Sequence, residues 1–310
     1  MPALHRVPNA MKPTFSTRPS FLGVANESPT ADYVVAGIPF DIGTTHRAGS
    51  RFGPMAIRAI SRMLVDGANP QNWHNPQKLD LADVGDFDIA LGDTEKSMAL
   101  IEQQAAQIGH LITLGGDHSI ALPLLRAASK RHGGPLGLVH FDAHVDTWPD
   151  SFGQPYGHGS CFYHAINEGI VDPARMIQIG IRSPLGRDVY DWTVGKGVRI
   201  ISAEEAHEMG PAHVAEAILE RTGKGKSYLT FDIDCIDPSQ APGTGTPEIG
   251  GLTTLEVRAI LMRLAPVDFV GMDIVEVAPP YDVAEITALA GATVAWLYLS
   301  LQAQKRGIGP

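Results

Sequence analysis

Short apolar or β-branched runs alternate with helix-period segments along the chain, and no other feature limits the fold so tightly. The runs at 33–38, 79–84, 111–114, 137–141, 176–181, 198–201, 228–231 and 269–277 read as strands. Between them, 54–64, 94–108, 120–131, 161–168, 211–221 and 254–264 carry helical patterns, and a further helix closes the chain. Strands joined by helices pair in parallel, and a parallel sheet needs both faces covered. The expectation is an α/β fold of three layers, α/β/α, with a central, mostly parallel sheet of about eight strands. Leu136-Gly137-Leu138-Val139, apolar on both faces, fits a central strand.

At 310 residues, 44% of them hydrophobic, the chain can bury a large core. Residues 1–30, broken by Pro2, Pro8, Pro13, Pro19 and Pro29, read as an N-terminal arm, and 31–310 as a single domain. No apolar stretch of signal-peptide type occurs in that arm. The segment 286–303 is nearly free of charge, but its polar interruptions favour a buried helix over a membrane span. A net charge of −10 argues against nucleic acid or an anionic membrane as partner and favours cationic ligands. Two cysteines are too few for a disulfide framework, which points to a reducing cytoplasm.

Two aspartate clusters follow apolar runs: Asp142-Ala143-His144-Val145-Asp146 and Asp232-Ile233-Asp234. In extended backbone, alternate residues share a face, so each cluster can project its side chains together. Gly115-Gly116-Asp117-His118 closes a third run. Ligands of open α/β sheets sit beyond the carboxyl ends of strands, where all three motifs fall. Carboxylates converging there repel one another unless cations neutralise them. Asp142, Asp146, Asp232 and Asp234 bring four negative charges, which two divalent ions offset, while His118 and His144 add neutral nitrogen ligands. Such an oxygen-rich set suits Mn²⁺ best, with other divalent transition metals as alternatives. Two ions about 3.5–4 Å apart lower the pKa of a shared water to about 7, so a hydrolysis is expected.

Other signals are weaker. Gly223-Lys224-Gly225-Lys226-Ser227 enters a strand instead of leaving one, and reads as a turn. His140 lies in a buried-looking run and reads as a satisfied core residue. His158, framed by Gly157 and Gly159, is balanced between a surface and a site role. Glu276 stands where the last strand ends. The loops 146–159 and 238–251 follow the clusters and are expected to wall the site.

At these residues the chain resembles the ureohydrolases, dinuclear manganese enzymes that include arginase, agmatinase and guanidinobutyrase. The matching motifs are Gly115-Gly116-Asp117-His118-Ser119, Phe141 to Asp146, Phe231 to Pro238, and Pro242 to Pro247 followed by Gly250-Gly251-Leu252-Thr253. The resemblance implies an arginase-like fold and two Mn²⁺ per subunit. One would be held by His118, Asp142, Asp146 and Asp232, the other by His144, Asp142, Asp232 and Asp234. It further implies that His158 transfers protons and that Glu276 holds the substrate guanidinium; in the expected mechanism Asp146 handles the proton for the departing amine and His158 relays protons to solvent. Trimers or hexamers are typical of the family, so a homo-oligomer is expected.

Tyr156 to Phe162, Gly271 to Pro279 and Tyr281 to Ala290 look like the agmatinase branch. The expected reaction is hydrolysis of a small cationic guanidino substrate, agmatine, to putrescine and urea. The alternative is 4-guanidinobutyrate or another guanidino acid. Segment 148–157 lacks Arg and Lys, which disfavours a carboxylate-bearing substrate, although Arg182 or Arg187 could reach in from elsewhere. A noncatalytic metal-bound scaffold would have lost a ligand, His158 or Glu276, and none is lost.

Overall fold

The structure, a computed structural model, describes residues Pro19–Pro310. Residues 1–18 of the expected arm lie outside the described residues. Of its remainder, Phe21 and Leu22 are buried, and their backbone N–H groups donate to Asp83 Oδ2 and Ser61 Oγ.

Eight strands form one sheet: β1 (Tyr33–Gly37), β2 (Leu81–Asp86), β3 (Leu111–Leu114), β4 (Leu136–Phe141), β5 (Val171–Ile181), β6 (Arg199–Ser202), β7 (Lys226–Asp232) and β8 (Asp268–Val275). Their order is β2-β1-β3-β8-β7-β4-β5-β6. Every neighbouring pair is parallel. The helices are α1 (Gly53–Ile60), α2 (Thr94–Ala105), α3 (Ala121–His132), α4 (Cys161–Asn167), α5 (Arg187–Gly195), α6 (Ala203–Thr222), α7 (Thr254–Leu261) and α8 (Ile286–Lys305).

Alternation along the strands splits the core in two. Val35, Ile112, Val139, Ile177, Leu229 and Met272 pack in one cluster with Ile57 of α1, Val214 and Ile218 of α6, Ile260 of α7 and Leu297 of α8. Val34, Leu138, Met176, Tyr228 and Val270 pack in another with Ile101 of α2, Leu125 of α3 and Phe162 of α4. Each fully buried Ile, Leu or Val contributes roughly 1.5–3 kcal/mol of burial energy. Both sheet faces are thereby covered, as the three-layer reading requires.

Helix starts follow local capping chemistry. Asp93 accepts from Lys96 N, Ser202 from Glu205 N, and Thr253 with Glu256 forms a full capping box. Helix α8 is long and apolar enough to cross a membrane, yet 78% of its apolar window is buried inside the fold.

Some elements differ from the sequence reading. Helix α5, rich in β-branched and aromatic residues, carries no strong helical signal and was not expected. The expected 211–221 helix is the second half of α6, whose two parts meet at Gly210 with φ 72 before Pro211. Strand β8 stops at Val275 rather than 277, because Glu276 turns into the left-handed region with φ 63. Of the Gly223 to Ser227 segment, residues 223–225 turn from α6 into β7, as expected, and Lys226 already opens the strand.

Candidate metal centre

Four adjacent central strands, β3, β8, β7 and β4, deliver the candidate residues from their carboxyl ends. His118 follows β3, Glu276 follows β8, Asp232 ends β7 with Asp234 just beyond, and Asp142 to Asp146 follows β4. A parallel sheet puts these ends side by side, so residues far apart in sequence meet.

Convergence within each cluster does not come from strand alternation, which corrects the sequence argument. Strand β4 ends at Phe141, and Asp142 Oδ1 then accepts from His144 N at 2.6 Å in a tight turn. Asp146 takes φ 49. Asp232 Oδ1 likewise accepts from Asp234 N at 2.9 Å, and Asp234 lies in a short 3-10 turn. Turns that fold side chains back on their own backbone gather these carboxylates. The left-handed backbone of Asp146 and Glu276 is strain of a kind that concentrates at functional sites.

Two ligand-like groups share Asp142. His118 Nδ1 lies 3.1 Å from Asp142 Oδ2, 2.9 Å from Asp146 Oδ2 and 3.2 Å from Asp232 Oδ2. His144 Nδ1 lies 3.2 Å from Asp142 Oδ1 and 3.2 Å from Asp234 Oδ2. The two oxygens of Asp142 thus face different groups, as a bridging carboxylate would.

The donor set fits metal. His118 Nδ1 is buried and makes no hydrogen bond of acceptable geometry, while Nε2 is 2.8 Å from Thr230 Oγ1, which donates to Asp273 Oδ1 at 2.6 Å. An imidazole paired on one nitrogen and orphaned on the other, amid three carboxylates, is the pattern of a ligand with its supporting partner. Burial and the charges of Asp234 and Asp142 push Asp232 well above the usual carboxylate range. Buried repulsion of this kind is what divalent cations relieve.

His158 and Glu276 sit beside these groups. His158 Nδ1 is 3.0 Å from Glu276 Oε1, which also accepts from His118 N at 3.0 Å. Glu276 Oε2 is buried and has no hydrogen-bond partner among the described residues. On its other side, His158 Nε2 is 2.7 Å from Thr45 Oγ1 and accepts from Thr45 N at 3.2 Å. Burial opposes protonation of His158, but the bond to Glu276 and the charges of Glu276, Asp146 and Asp117 outweigh it and lift the ring to about 9. The Thr45 N–H pulls the other way, because it needs a lone pair on Nε2.

The arginase-family model matches residues 31–300. This chain belongs to the arginase family. It is 47% identical over 287 residues to the agmatinase of Photorhabdus laumondii subsp. laumondii, covering 90% of each chain. Among solved structures it is similar to a hypothetical agmatinase from Burkholderia thailandensis, at 40% identity and a TM-score of 0.88, covering 95% of this chain and 94% of that one. Proclavaminate amidino hydrolase from Streptomyces clavuligerus superposes with a TM-score of 0.89 at 36% identity, covering 95% of this chain and all of the other.

In this arginase-family protein a cleft of about 330 Å³ opens above the two groups. As expected, loops 146–159 and 238–251 wall it, through Trp148, Asp150, Phe152 and Thr246. Thr45, from the loop after β1, was not anticipated. That loop's charges gave no ligand-like spacing, Asp41 being paired with Arg51; it is tied in because Asp117 Oδ2 accepts from Gly43 N at 2.8 Å. Glycine is required at position 116, where an added Cβ would sit 1.7 Å from Phe40 O. Glu276 does not line the cleft but lies behind His158. His140 is the fully buried, paired residue expected, although one of its partners is Asp142. The supporting places of Thr230 and Asp273 had no signal in the sequence, since each looks like an ordinary strand residue.

Proposed function

We propose that this chain is a dinuclear metal amidinohydrolase that cleaves agmatine to putrescine and urea, with 31–310 as its single catalytic domain. One observation carries the substrate choice. Among the described residues neither Lys nor Arg lines the cleft, whereas Asp150 does. Both outside candidates are committed elsewhere: Arg182 donates to the carbonyls of Asp234, Glu248 and Gly180, and Arg187 pairs with Asp191 on the surface. A substrate with a distal ammonium finds a counter-charge here, and one with a distal carboxylate does not.

His118, Asp142, Asp146 and Asp232 would hold one Mn²⁺, and His144, Asp142, Asp232 and Asp234 the other. When bound, the ions would supply Lewis acidity and a water of lowered pKa. The chain's own residues do the rest. Glu276, whose Oε2 is buried behind His158, would accept a guanidinium N–H from a substrate head that reaches past the cleft lining, and would so orient the substrate carbon. Trp148 and Phe152 give the methylenes apolar surface, and Asp150 meets the ammonium. Asp146 Oδ2, 2.9 Å from His118 Nδ1, can take the proton that the attacking water loses and pass it to the departing amine. His158 exchanges protons at Nε2, where Thr45 Oγ1 lies at hydrogen-bond distance and continues toward the cleft.

Two free, buried cysteines suit a cytoplasmic enzyme. A trimer or hexamer belongs to the same proposal. Urea release by the Mn²⁺-loaded protein, compared side by side on agmatine, 4-guanidinobutyrate and arginine, tests it. Agmatine should give the highest kcat/KM by at least tenfold; a 4-guanidinobutyrate preference would overturn the substrate assignment.

A further inference from the structure

We infer that Gln178 is a positioning residue for the cation centre: it pins both ends of the Asp142–Asp146 loop and sets which ring nitrogen of His140 carries the proton. The inference rests on reading Asp142 as a cation ligand.

Gln178 lies on β5, directly across from His140 on β4 in the parallel register, and both are fully buried. Its side-chain nitrogen Nε2 is 2.7 Å from the Val145 carbonyl oxygen and 3.0 Å from His140 Nδ1. A carbonyl oxygen can only accept, so the atom facing Val145 must be the amide nitrogen. This fixes the amide's orientation.

The consequences propagate. The same NH₂ group donates its second hydrogen to His140, so Nδ1 must present a lone pair. The neutral ring then carries its hydrogen on Nε2. That N–H points at Asp142 Oδ2, 2.7 Å away. Asp142 Oδ2 is therefore held by a donor whose polarity is set by a backbone carbonyl three residues further along the same loop.

That carbonyl belongs to Val145, immediately before Asp146 and its left-handed φ of 49. Gln178 thus ties the strained end of the loop to its first carboxylate, across a strand boundary. With every link fully buried, water cannot substitute for a missing donor. Phe162 closes the pocket, with its ring centroid 4.4 Å from that of His140 and 5.2 Å from that of His118.

Gln178→Met keeps the volume and removes the donors. Mn²⁺ titration of the chelator-stripped protein by calorimetry should show affinity falling about 10- to 100-fold, the usual cost of losing a ligand's supporting partner. Because the residues act in series, the Gln178→Met/His140→Asn double variant should bind Mn²⁺ no more weakly than His140→Asn alone. Wild-type affinity in folded Gln178→Met, or additive losses in the double variant, would overturn the inference. If Asp142→Asn also binds Mn²⁺ normally, the metal reading itself fails; if only Asp142→Asn loses binding, the positioning role alone fails. Should Gln178→Met not fold, neutron diffraction from the unaltered protein decides, with deuterium expected on His140 Nε2 and not on Nδ1. The reverse would refute it.

Discussion

His158 Nδ1 lies 3.0 Å from Glu276 Oε1, a buried hydrogen bond that joins residues 118 positions apart behind the cleft wall. It ties the ring that would exchange protons to the carboxylate that would hold the guanidinium. Replacing His158 by Asn should lower kcat by roughly 10²–10⁴, the range for a general acid–base group. Mn²⁺ affinity should stay near the wild-type value, since His158 belongs to neither ligand group. A variant with near-normal kcat would remove His158 from the proton path.

Asp150 occupies the cleft wall with one oxygen, Oδ1, accepting from Gly153 N at 2.7 Å. Its other oxygen is the counter-charge proposed for the distal ammonium. Asp150→Asn should raise KM for agmatine by roughly fivefold, in line with the modest worth of an exposed ion pair, with kcat little changed. Asp150→Lys should shift preference toward 4-guanidinobutyrate. Unaltered KM values in both variants would place the ammonium elsewhere.

Chelation should destabilise the protein. Four buried aspartates share the site, and a ligand that binds only the folded state adds about 2.7 kcal/mol when present at 100 times its Kd. Scanning calorimetry with EDTA and then with excess Mn²⁺ should show Tm falling and recovering by several degrees. A Tm indifferent to both treatments would count against a cation in the centre.

Acid sensitivity should arise away from the site as well. Burial, then the positive charges of Lys305, His132 and Arg306, depress His110 to about 3, with Asp268 opposing, while the ring bonds Tyr298 Oη at 2.6 Å. In the unfolded chain the same ring titrates near 6.5, so between 6.5 and 3 the unfolded state binds the extra proton. His110 thus favours folding fully above pH 6.5, and that contribution is lost as pH falls toward 3. His110→Asn should flatten the slope of Tm against pH between 6.5 and 5. An unchanged slope would assign the sensitivity to other groups.

Sequence reading reached the layers because hydrophobic period is a local property. Leu111–Leu114 matched its expected bounds, and β4 ended where expected but began one residue earlier. Where it missed, a tertiary contact or a backbone turn had overridden local preference. Helix α5 is held by Val189 and Thr193, both buried, rather than by strong helix formers. Strand β8 ends early because Glu276 bends to meet His118 and His158.

The candidate ligands His118, Asp142, His144, Asp146, Asp232 and Asp234 were legible because carboxylates and imidazoles at strand ends are chemically conspicuous. Why they converge was not. Alternation suggested a shared face, whereas Asx-type turns and the left-handed Asp146 bring them together. The cleft's charge depended on where Arg182 points, and only packing placed its guanidinium among backbone carbonyls.

By itself, then, the sequence determined a parallel α/β sheet, the strand ends that carry the chemistry and the family resemblance, because each is written in period or residue type. Tertiary structure alone decided the hydrogen-bond polarity. Thr230 behind His118, Gln178 behind His140 and Thr45 on the cleft side of His158 come from neighbouring strands and loops, and a donor's partner across a sheet is a matter of register, which no local pattern encodes.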